Sequence, residues 1–272
     1  MEKKYKLTEE TINVGDKTLY RIEALKDFSD VKKGDKGGYI EKEENLSQSD
    51  DCWVYGNARV SDDAEVFGNA KVYDNALVYD NALVCGNALV FGNALVIDKA
   101  RVYGNAQVRG NAKVFENARV FDNANVYEDA EVFGNARVYG KAYVFGNAEI
   151  YGDAKVFENA EVSFDAKVYG YAKVFENAEV QGNAKVYGNA EVRTDACIYG
   201  DAVIDSIGDY IVFKNFWSSG RSFTWTRSND MWKVGCFYGT GEELIEKAYK
   251  DSEISGREYE RIVKYVETIK GE

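Results

Sequence analysis

The chain has 272 residues and a formal net charge of −12, with four cysteines, no histidine and no proline. The missing histidine excludes His-based metal sites and the Ser-His and Cys-His catalytic pairs. The acidic balance argues against direct nucleic-acid binding, which needs a basic surface. No apolar run reaches membrane-spanning length, and Met1 to Lys4 show no secretory signal. We therefore predict a cytoplasmic protein with reduced cysteines, no membrane contact, no cofactor and no metal.

Residues 1–45 form the first unit of the chain. Residues 5–7 and 18–22 alternate apolar and polar side chains on either side of a turn at residues 14–17, a pattern typical of a β-hairpin. The open end of a repeat protein is an unpaired strand edge that invites polymerisation. We therefore predict that this hairpin caps the first coil of the repeat region at residues 46–205.

Residues 46–205 are a six-residue unit repeated many times. Alanine occupies every sixth position from Ala58 to Ala202, 25 times in succession, and Val or Ile follows two residues later. Residues two apart point to the same side of a strand, so Ala and Val face inward and the variable and aromatic residues face outward. A Gly/Asp-Asn pair then turns the chain. Three such hexads per turn predict a three-sided, 18-residue coil whose strands stack about 4.8 Å apart.

Two resemblances accompany this pattern. The order Val-x-Gly/Asp-x-Ala-x resembles the hexapeptide repeat of left-handed parallel β-helices, which implies an all-β solenoid, single-stranded and left-handed, with three hexads per coil. The beginning of the chain resembles the N-terminal block of YdcK-like β-helical proteins in the segments Arg21-Ile22-Glu23-Ala24-Leu25-Lys26-Asp27-Phe28, Gly37-Gly38-Tyr39-Ile40, Leu46-Ser47-Gln48 and Asp51-Cys52-Trp53-Val54-Tyr55. Similar blocks are common in phage and prophage genes. The family is labelled transferase-like on fold alone, so the resemblance implies a fold and an origin but no activity.

Stacking every third hexad aligns outward residues in columns. One predicted column is aromatic, with a cationic column beside it at the variable position: Tyr103, Phe121, Tyr139, Phe157 and Phe175 beside Arg101, Arg119, Arg137, Lys155 and Lys173. A second aromatic column runs through Tyr79, Ile97, Phe115, Phe133, Tyr151, Tyr169 and Tyr187. Such columns either stabilise the coil by cross-strand stacking or form a partner-binding face. Glu158 and Glu176 are expected to balance the cations.

Four successive variable positions carry leucine instead of polar residues. These residues, with a neighbouring isoleucine, are Leu77, Leu83, Leu89, Leu95 and Ile97. We predict that this apolar girdle is a self-association or docking surface. The alternative is that a terminal segment folds back over it.

Residues 206–272 are predicted to form a small α+β module. Residues 210–213 and 222–225 resemble a hairpin around residues 218–221, residues 231–237 a third strand, and residues 243–250 and 258–269 helices, the first with a capping box at Thr240 and Glu243. The module is either a second cap, a contact for homo-oligomers, or a polar–aromatic recognition site. The candidate recognition residues are Arg221, Trp225, Arg227 and Trp232.

Left-handed β-helices include acyltransferases that resemble one another in using a histidine base, which this chain lacks. A carboxylate-based lyase or hydrolase is a further alternative. The preferred hypothesis is a non-catalytic interaction protein, phage- or prophage-encoded, that acts on a host or phage protein. One form is an inhibitor of a defence or nucleic-acid enzyme through the acidic surface. The alternative from another class is a structural spacer or assembly subunit.

Overall fold

Residues 3–215 and 220–270 are described by a computed structural model of the chain. Short strands succeed one another at six-residue intervals through the centre of the chain. They are, as β4 to β29 in chain order, Trp53–Val54, Arg59–Val60, Glu65–Val66, Lys71–Val72, Leu77–Val78, Leu83–Val84, Leu89–Val90, Leu95–Val96, Arg101–Val102, Gln107–Val108, Lys113–Val114, Arg119–Val120, Asn125–Val126, Glu131–Val132, Arg137–Val138, Tyr143–Val144, Glu149–Ile150, Lys155–Val156, Glu161–Val162, Lys167–Val168, Lys173–Val174, Glu179–Val180, Lys185–Val186, Glu191–Val192, Cys197–Ile198 and Val203–Ile204.

Each strand from β4 to β26 pairs in parallel with the strand three hexads later. Arg101, for example, lies beside Arg119, and Val102 beside Val120. Together with three N-terminal strands described below, they form three sheets of twelve, nine and eight strands, which are the three sides of a β-solenoid. The prediction of three hexads per coil is confirmed.

The interior is built from the alanines and valines of the repeat. From Ala58 to Ile204, each of these residues is at most 1% exposed. Turn residues between the strands adopt positive φ, as in Glu116 at 57° and Gly140 at 70°. At position 140 an added Cβ would lie 2.6 Å from the backbone nitrogen of Glu158 one coil later, so a larger residue there would force the turn to shift. The narrow interior requires small inward side chains, and the positive φ of the turns favours Gly, Asn and Asp. These two constraints recur in every hexad and account for the regularity of the sequence.

The N-terminal hairpin extends one side of the solenoid. Strands β1 (Tyr5–Val14) and β2 (Lys17–Ala24) are antiparallel, and β2 pairs with β3 (Lys36–Ile40). β3 then pairs in parallel with β5, so the first rung of the twelve-stranded sheet lies within residues 1–45. A 3₁₀ turn at Glu43–Asn45 leads into the next side.

The N-terminal end of the rod is closed by hydrogen-bond donors. Within the coils, backbone N–H groups donate to carbonyls of the following coil, as from Arg101 to Ala118 over 2.9 Å. Carbonyl groups of the first coil therefore have no preceding coil to bind. The Lys4 ammonium donates to the carbonyls of Ser49, Asp50 and Cys52 at 2.9 to 3.2 Å. The Tyr5 hydroxyl donates to the Leu46 carbonyl at 2.6 Å, and the Asn45 amide to that of Ala64 at 2.9 Å.

The C-terminal end is closed by hydrogen-bond acceptors. The N–H groups of the last coil have no following coil, so they need other acceptors. One N–H on each side of the last coil donates to a side-chain oxygen: Cys197 to Thr224 Oγ1 at 2.9 Å, Val203 to Ser228 Oγ at 2.7 Å, and Arg193 to Tyr210 Oη at 3.3 Å. The Asp209 carboxylate accepts from the N–H of Asp205 at 2.9 Å. These contacts replace a further coil and blunt the open edge.

Removing one of these acceptors tests the closure of the C-terminal end. Thr224 is 1% exposed, so Thr224→Val retains its shape while leaving the Cys197 N–H without an acceptor. We expect the free energy of unfolding to fall by about 1–2 kcal/mol. Chemical denaturation measures the change, with the exposed Thr268→Val as control. An equal effect of both variants would contradict the role of Thr224.

The C-terminal module has a core of its own. Strands β30 (Tyr210–Lys214), β31 (Ser222–Thr226), β32 (Met231–Val234) and β33 (Phe237–Gly239) form an antiparallel sheet next to helices α1 (Gly241–Asp251) and α2 (Glu253–Ile269). The predicted strand at 231–237 is instead two strands, because Gly235 turns the chain with φ of 53°. The capping box of Thr240 and Glu243 is present. The predicted turn residues Ser218 and Ser219 lie outside the described residues.

Candidate functional site

The eight-stranded side of the rod carries a straight row of cations. Its outward residues run in stacking order Glu65, Leu83, Arg101, Arg119, Arg137, Lys155, Lys173 and Glu191. We call this surface the cationic side. The row repeats at the spacing of neighbouring strands, about 4.8 Å. The predicted cationic column is therefore present.

Most cations of this row lack an ion pair, whereas several lysines elsewhere on the rod have one. On the twelve-stranded side, Lys113 and Lys167 bind glutamates of adjacent coils at 2.8 Å. On the cationic side Lys173 binds Glu191 at 2.7 Å, whereas in the described part of the chain no carboxylate lies within ion-pair distance of Arg101, Arg119, Arg137 or Lys155. Like charges on neighbouring strands destabilise a sheet. The row therefore carries a like-charge repulsion over five successive coils, whereas on the twelve-stranded side only Lys167 and Lys185 are cations on adjacent coils.

The predicted aromatic column borders the cationic side. Rings from Tyr103 to Phe175 stack with centroids 4.8 to 4.9 Å apart and planes within 3°. The second predicted column also stacks from Phe115 to Tyr187, at 4.8 to 5.1 Å. Inside each column, a ring covers the faces of its neighbours. The columns therefore stabilise the coil and offer partners mainly ring edges and hydroxyl groups.

A shallow trough of about 390 Å³ lies on the cationic side. Its floor is formed by Arg119, Arg137, Lys155 and Lys173, and the corner before the sheet supplies Asn117, Asn135, Asp153 and Tyr171. The Asn135 amide donates to Asp153 Oδ1 at 3.2 Å. Tyr171 stands where the repeat has asparagine and is 66% exposed. Among the described residues, its ring contacts no other ring. The trough thus combines cations, amide and carboxylate groups, and one open aromatic face.

Sequence reasoning missed a third aromatic column on the corner after the nine-stranded side. Tyr73 and Phe91 stack at 4.7 Å, and Tyr127 and Phe145 at 4.8 Å. Between Phe91 and Tyr127 this column has Arg109 instead of an aromatic residue. The Arg109 guanidinium lies 4.3 Å from the centre of the Tyr127 ring. The same 18-residue spacing would have revealed this column from the sequence.

The leucine girdle surrounds the rod and does not form one surface. Leu77 and Leu95 are neighbours on the twelve-stranded side, with Ile97 at the next corner. Leu83 lies on the cationic side and Leu89 on the nine-stranded side. All five side chains are partly exposed. A flat partner can therefore contact only part of the predicted self-association set at one time.

The C-terminal recognition site needs correction. Trp225 and Trp232 pair across neighbouring strands and are 1% and 0% exposed, in the module's core with Val263 and Val266 of α2. Helix packing covers the side of the sheet that carries both indoles, which removes them as surface contacts. Arg221 and Arg227 are exposed. The four predicted residues are thus not one recognition surface.

The acidic turn residues have a structural role. Their carboxylates accept the N–H of the equivalent turn residue one coil later, as from Glu116 to Asp98 and from Glu176 to Glu158, both at 2.9 Å. Glu176 accepts in the same way from Thr194 at 2.7 Å. The expected pairing of Glu158 and Glu176 with the cationic row is therefore not observed. Several carboxylates of the rod thus accept hydrogen bonds from backbone N–H groups of the turns.

Glu161 is a partly buried carboxyl group on the nine-stranded side of the solenoid. Burial raises its pKa, and the neighbouring charge of Glu179 raises it further. The Gln181 amide donates to Glu179 at 2.9 Å.

Across the described residues, no cluster of three His, Cys, Asp or Glu side chains suits a metal ion. Nor does any helix in the described ranges have the length and apolarity needed to cross a membrane.

Comparison with known proteins supports the repeat. A family model described as the YdcK β-solenoid repeat matches residues 70–86. No curated protein matches the chain. The chain is therefore similar to YdcK-type solenoids over a short stretch, which agrees with the observed fold.

Proposed function

We propose that this chain is a non-catalytic interaction solenoid whose cationic side binds an acidic partner. The observation that carries the proposal is the row of Arg101, Arg119, Arg137 and Lys155 without internal counter-charges among the described residues. A rod that served only as a spacer would gain nothing from a row of like charges and would favour ion pairs such as Lys113–Glu131 and Lys167–Glu149 on its twelve-stranded side. The partner expected from the sequence is a protein of host or phage origin, and the cationic row suits carboxylates or phosphates on its surface.

Both ends of the rod are capped, which favours the sides of the rod as the surfaces that bind partners. The first and last coils bind side chains of the hairpin and of the C-terminal module, including Lys4 and Thr224. End-to-end growth of an assembly subunit would need these groups to leave. Homo-oligomers through Leu77, Leu95 and Ile97 or through the C-terminal module remain a separate proposal.

Catalysis has little support from the arrangement of acidic groups. Glu161 is the described carboxyl group whose pKa is raised, and it lies on a flat side next to Glu179. An acid–base pair needs two carboxyl groups placed on either side of a reacting bond. The alternatives of an acyltransferase and a lyase would be revived by calorimetric binding of acetyl-coenzyme A or by cleavage of an acidic polymer.

A finer proposal concerns origin and place of action. We propose a cytoplasmic protein encoded by a phage or prophage that inhibits a bacterial defence or nucleic-acid enzyme through its acidic surface. The net charge of −12 supports it. The engagement of acidic turn residues by backbone N–H groups favours the cationic side as the first contact. Inhibition of a nuclease that persists when exposed turn acids are replaced would contradict the acidic surface as the inhibitory contact, and absence of any inhibition would contradict the inhibitor proposal.

Partner capture tests the proposed function. The full chain and Arg119→Glu/Arg137→Glu are compared in pull-downs from bacterial lysate, with Lys141→Glu/Lys185→Glu as a control of equal charge. Both control lysines are exposed and outside the row itself: Lys185 lies on the twelve-stranded side, and Lys141 lies at the corner that follows Arg137–Val138. We expect a captured protein that is lost with the arginine variant and kept with the control. A partner kept by the arginine variant, or no partner for the unchanged protein, would contradict the proposal.

A further inference from the structure

We infer that the nine-stranded side of the rod is the contact surface of an antiparallel dimer, in which a second copy of this chain packs through the same side. The inference does not rest on the proposed function, because the cationic side is a different side of the rod. Three features carry it: an uncharged centre, a trough matched by protruding aromatic rings, and opposite charges at the two ends. The outward residues of this side run in stacking order Lys71, Leu89, Gln107, Asn125, Tyr143, Glu161 and Glu179.

The centre of the nine-stranded side has no charged outward residue over four successive coils. These residues are Leu89, Gln107, Asn125 and Tyr143. Among exposed outward positions, the longest uncharged run is two coils on the twelve-stranded side and one coil on the cationic side. Charged residues are depleted from the centres of protein interfaces. The nine-stranded side is therefore the side of the rod best suited to be covered by protein.

The N-terminal half of this side contains a trough of about 1100 Å³. Lys71 and Leu89 line it on two successive strands, and Tyr73 and Asp74 line it at the corner after β7. Asp30, from the loop between β2 and β3, also lines the trough and accepts a hydrogen bond from Lys71 at 2.7 Å. The trough is a recess for side chains that protrude from a facing surface.

The C-terminal half of the same side carries two protruding aromatic rings. Tyr143 is 44% exposed, and Phe164, at the corner after β22, is 55% exposed. Phe164 has a φ of 59°, a left-handed conformation that is unfavourable for a bulky side chain. The other non-glycine residues with positive φ in the described ranges are Asp, Glu, Ser or Thr. An exposed phenylalanine at a strained turn position points to a contact outside the chain.

An antiparallel two-fold arrangement brings both rings onto the trough. With the axis midway between β13 and β16, Tyr143 of one copy faces Leu89 of the other, and Phe164 faces Asp74 at the same corner. Both copies have the same spacing of about 4.8 Å between coils, so a match at one coil is kept along the whole contact. A surface that is its own complement in this way is characteristic of two-fold homodimers.

The charges at the ends of the side favour antiparallel over parallel packing. In the antiparallel register Glu161 of one copy faces Lys71 of the other, whose ammonium binds Asp30 and has further donors. Burial and the charge of Glu179 raise the pKa of Glu161, and no lysine or arginine of the described residues lies within ion-pair distance of either glutamate. Parallel packing would place Glu161 on Glu161 and Lys71 on Lys71, which is repulsive.

The contact is large enough for a specific dimer. In this register all but one of the nine strands overlap, which is about 38 Å of rod at about 4.8 Å per coil. With a side about 16 Å wide, from five extended steps of about 3.3 Å, each copy would cover about 600 Å². Two such surfaces give about 1,200 Å² in total, at the lower end of specific interfaces. We therefore expect a dimer that dissociates on dilution.

Sedimentation velocity of the full chain over a concentration series tests the inference. We expect a species of twice the 30.5 kDa chain mass at high concentration. Leu89→Glu places a charge in the trough and is expected to weaken association by at least about tenfold. Leu95→Glu makes the same change on the twelve-stranded side and is expected to weaken it by less than about twofold. Tyr143→Glu and Tyr171→Glu form a second matched pair with the same expectations, and thermal unfolding monitors folding.

The results of this series decide between the surfaces of the rod. A monomer at every concentration, a trimer, or a dimer that Leu95→Glu weakens as much as Leu89→Glu would overturn the inference. So would equal effects of Tyr143→Glu and Tyr171→Glu, because Tyr171 lies on another corner of the rod.

Cross-linking of two single-site variants determines the direction of packing. In a chain with Cys85, Cys197 and Cys236 changed to serine, Asn87→Cys and Lys141→Cys lie at the exposed corner before the nine-stranded side, three coils apart. The antiparallel register places Asn87 of one copy opposite Lys141 of the other. A short bismaleimide should therefore link the two proteins after mixing and link neither protein alone. Linkage of either protein alone, or no linkage in the mixture, would overturn the antiparallel dimer.

Discussion

Lys4→Met is expected to lower the free energy of unfolding by about 3 kcal/mol, because three carbonyl groups lose their donor together. Lys4 is 1% exposed, and its ammonium binds the carbonyls of Ser49, Asp50 and Cys52 at the open end of the first coil. Burial lowers the pKa of Lys4, while the nearby Cys52 and Asp50 favour its charged form. Methionine keeps a similar length, so packing changes little and the loss reports on the hydrogen bonds.

Urea unfolding followed by circular dichroism measures this effect. Lys6→Met is the control, since Lys6 is 50% exposed in its side chain and binds Glu23 at 3.1 Å in a surface ion pair. Such pairs contribute less than about 1 kcal/mol. If the two variants lose equal stability, Lys4 does not close the first coil.

Ala118→Leu is expected to destabilise the protein by about 3 kcal/mol, at the upper end of overpacking effects. Ala118 is 0% exposed inside the rod, and the coils above and below leave it no space for three more carbons. The next residue, Arg119, points outward. Arg119→Leu adds the same side chain one position later and is expected to change stability by less than about 0.5 kcal/mol.

Thermal or chemical unfolding of the two leucine variants compares inward with outward positions directly. Both changes introduce leucine, so composition and hydrophobicity are matched at the new residue. Equal destabilisation, or a greater loss for Arg119→Leu, would mean that the inward and outward assignments of the hexad are reversed.

The fold of the rod could be predicted from the sequence because the same six-residue pattern recurs along it. Alanine and valine at fixed positions determine which residues face inward, and the 18-residue coil then aligns Arg101 with Arg119 and Tyr103 with Phe121. The cationic row and the stacked aromatic columns both follow from the 18-residue spacing. Tyr73 and Phe91 have the same spacing, but this column was not predicted.

The module at the C-terminal end could not be predicted to the same depth. Trp225 and Trp232 alternate with polar residues, which is compatible with either face of the sheet being buried. Only the packing of α2, through Val263 and Val266, determines that the indoles are inside. The role of Glu158 was also hidden, because a carboxylate near cations in sequence can bind instead to a backbone N–H one coil away.

Oxidative cross-linking of paired cysteines tests the three-sided coil most directly. Asn105 and Asn123 are 18 residues apart, and their side-chain amides are hydrogen-bonded at 3.1 Å. In a chain with Cys85, Cys197 and Cys236 changed to serine, we expect Asn105→Cys/Asn123→Cys to form an intramolecular disulfide under mild oxidation. Asn105→Cys/Asn111→Cys, only six residues apart but on a different corner, should remain reduced. A disulfide in the second pair and none in the first would contradict the three-sided coil, and the cationic side would no longer exist as a row.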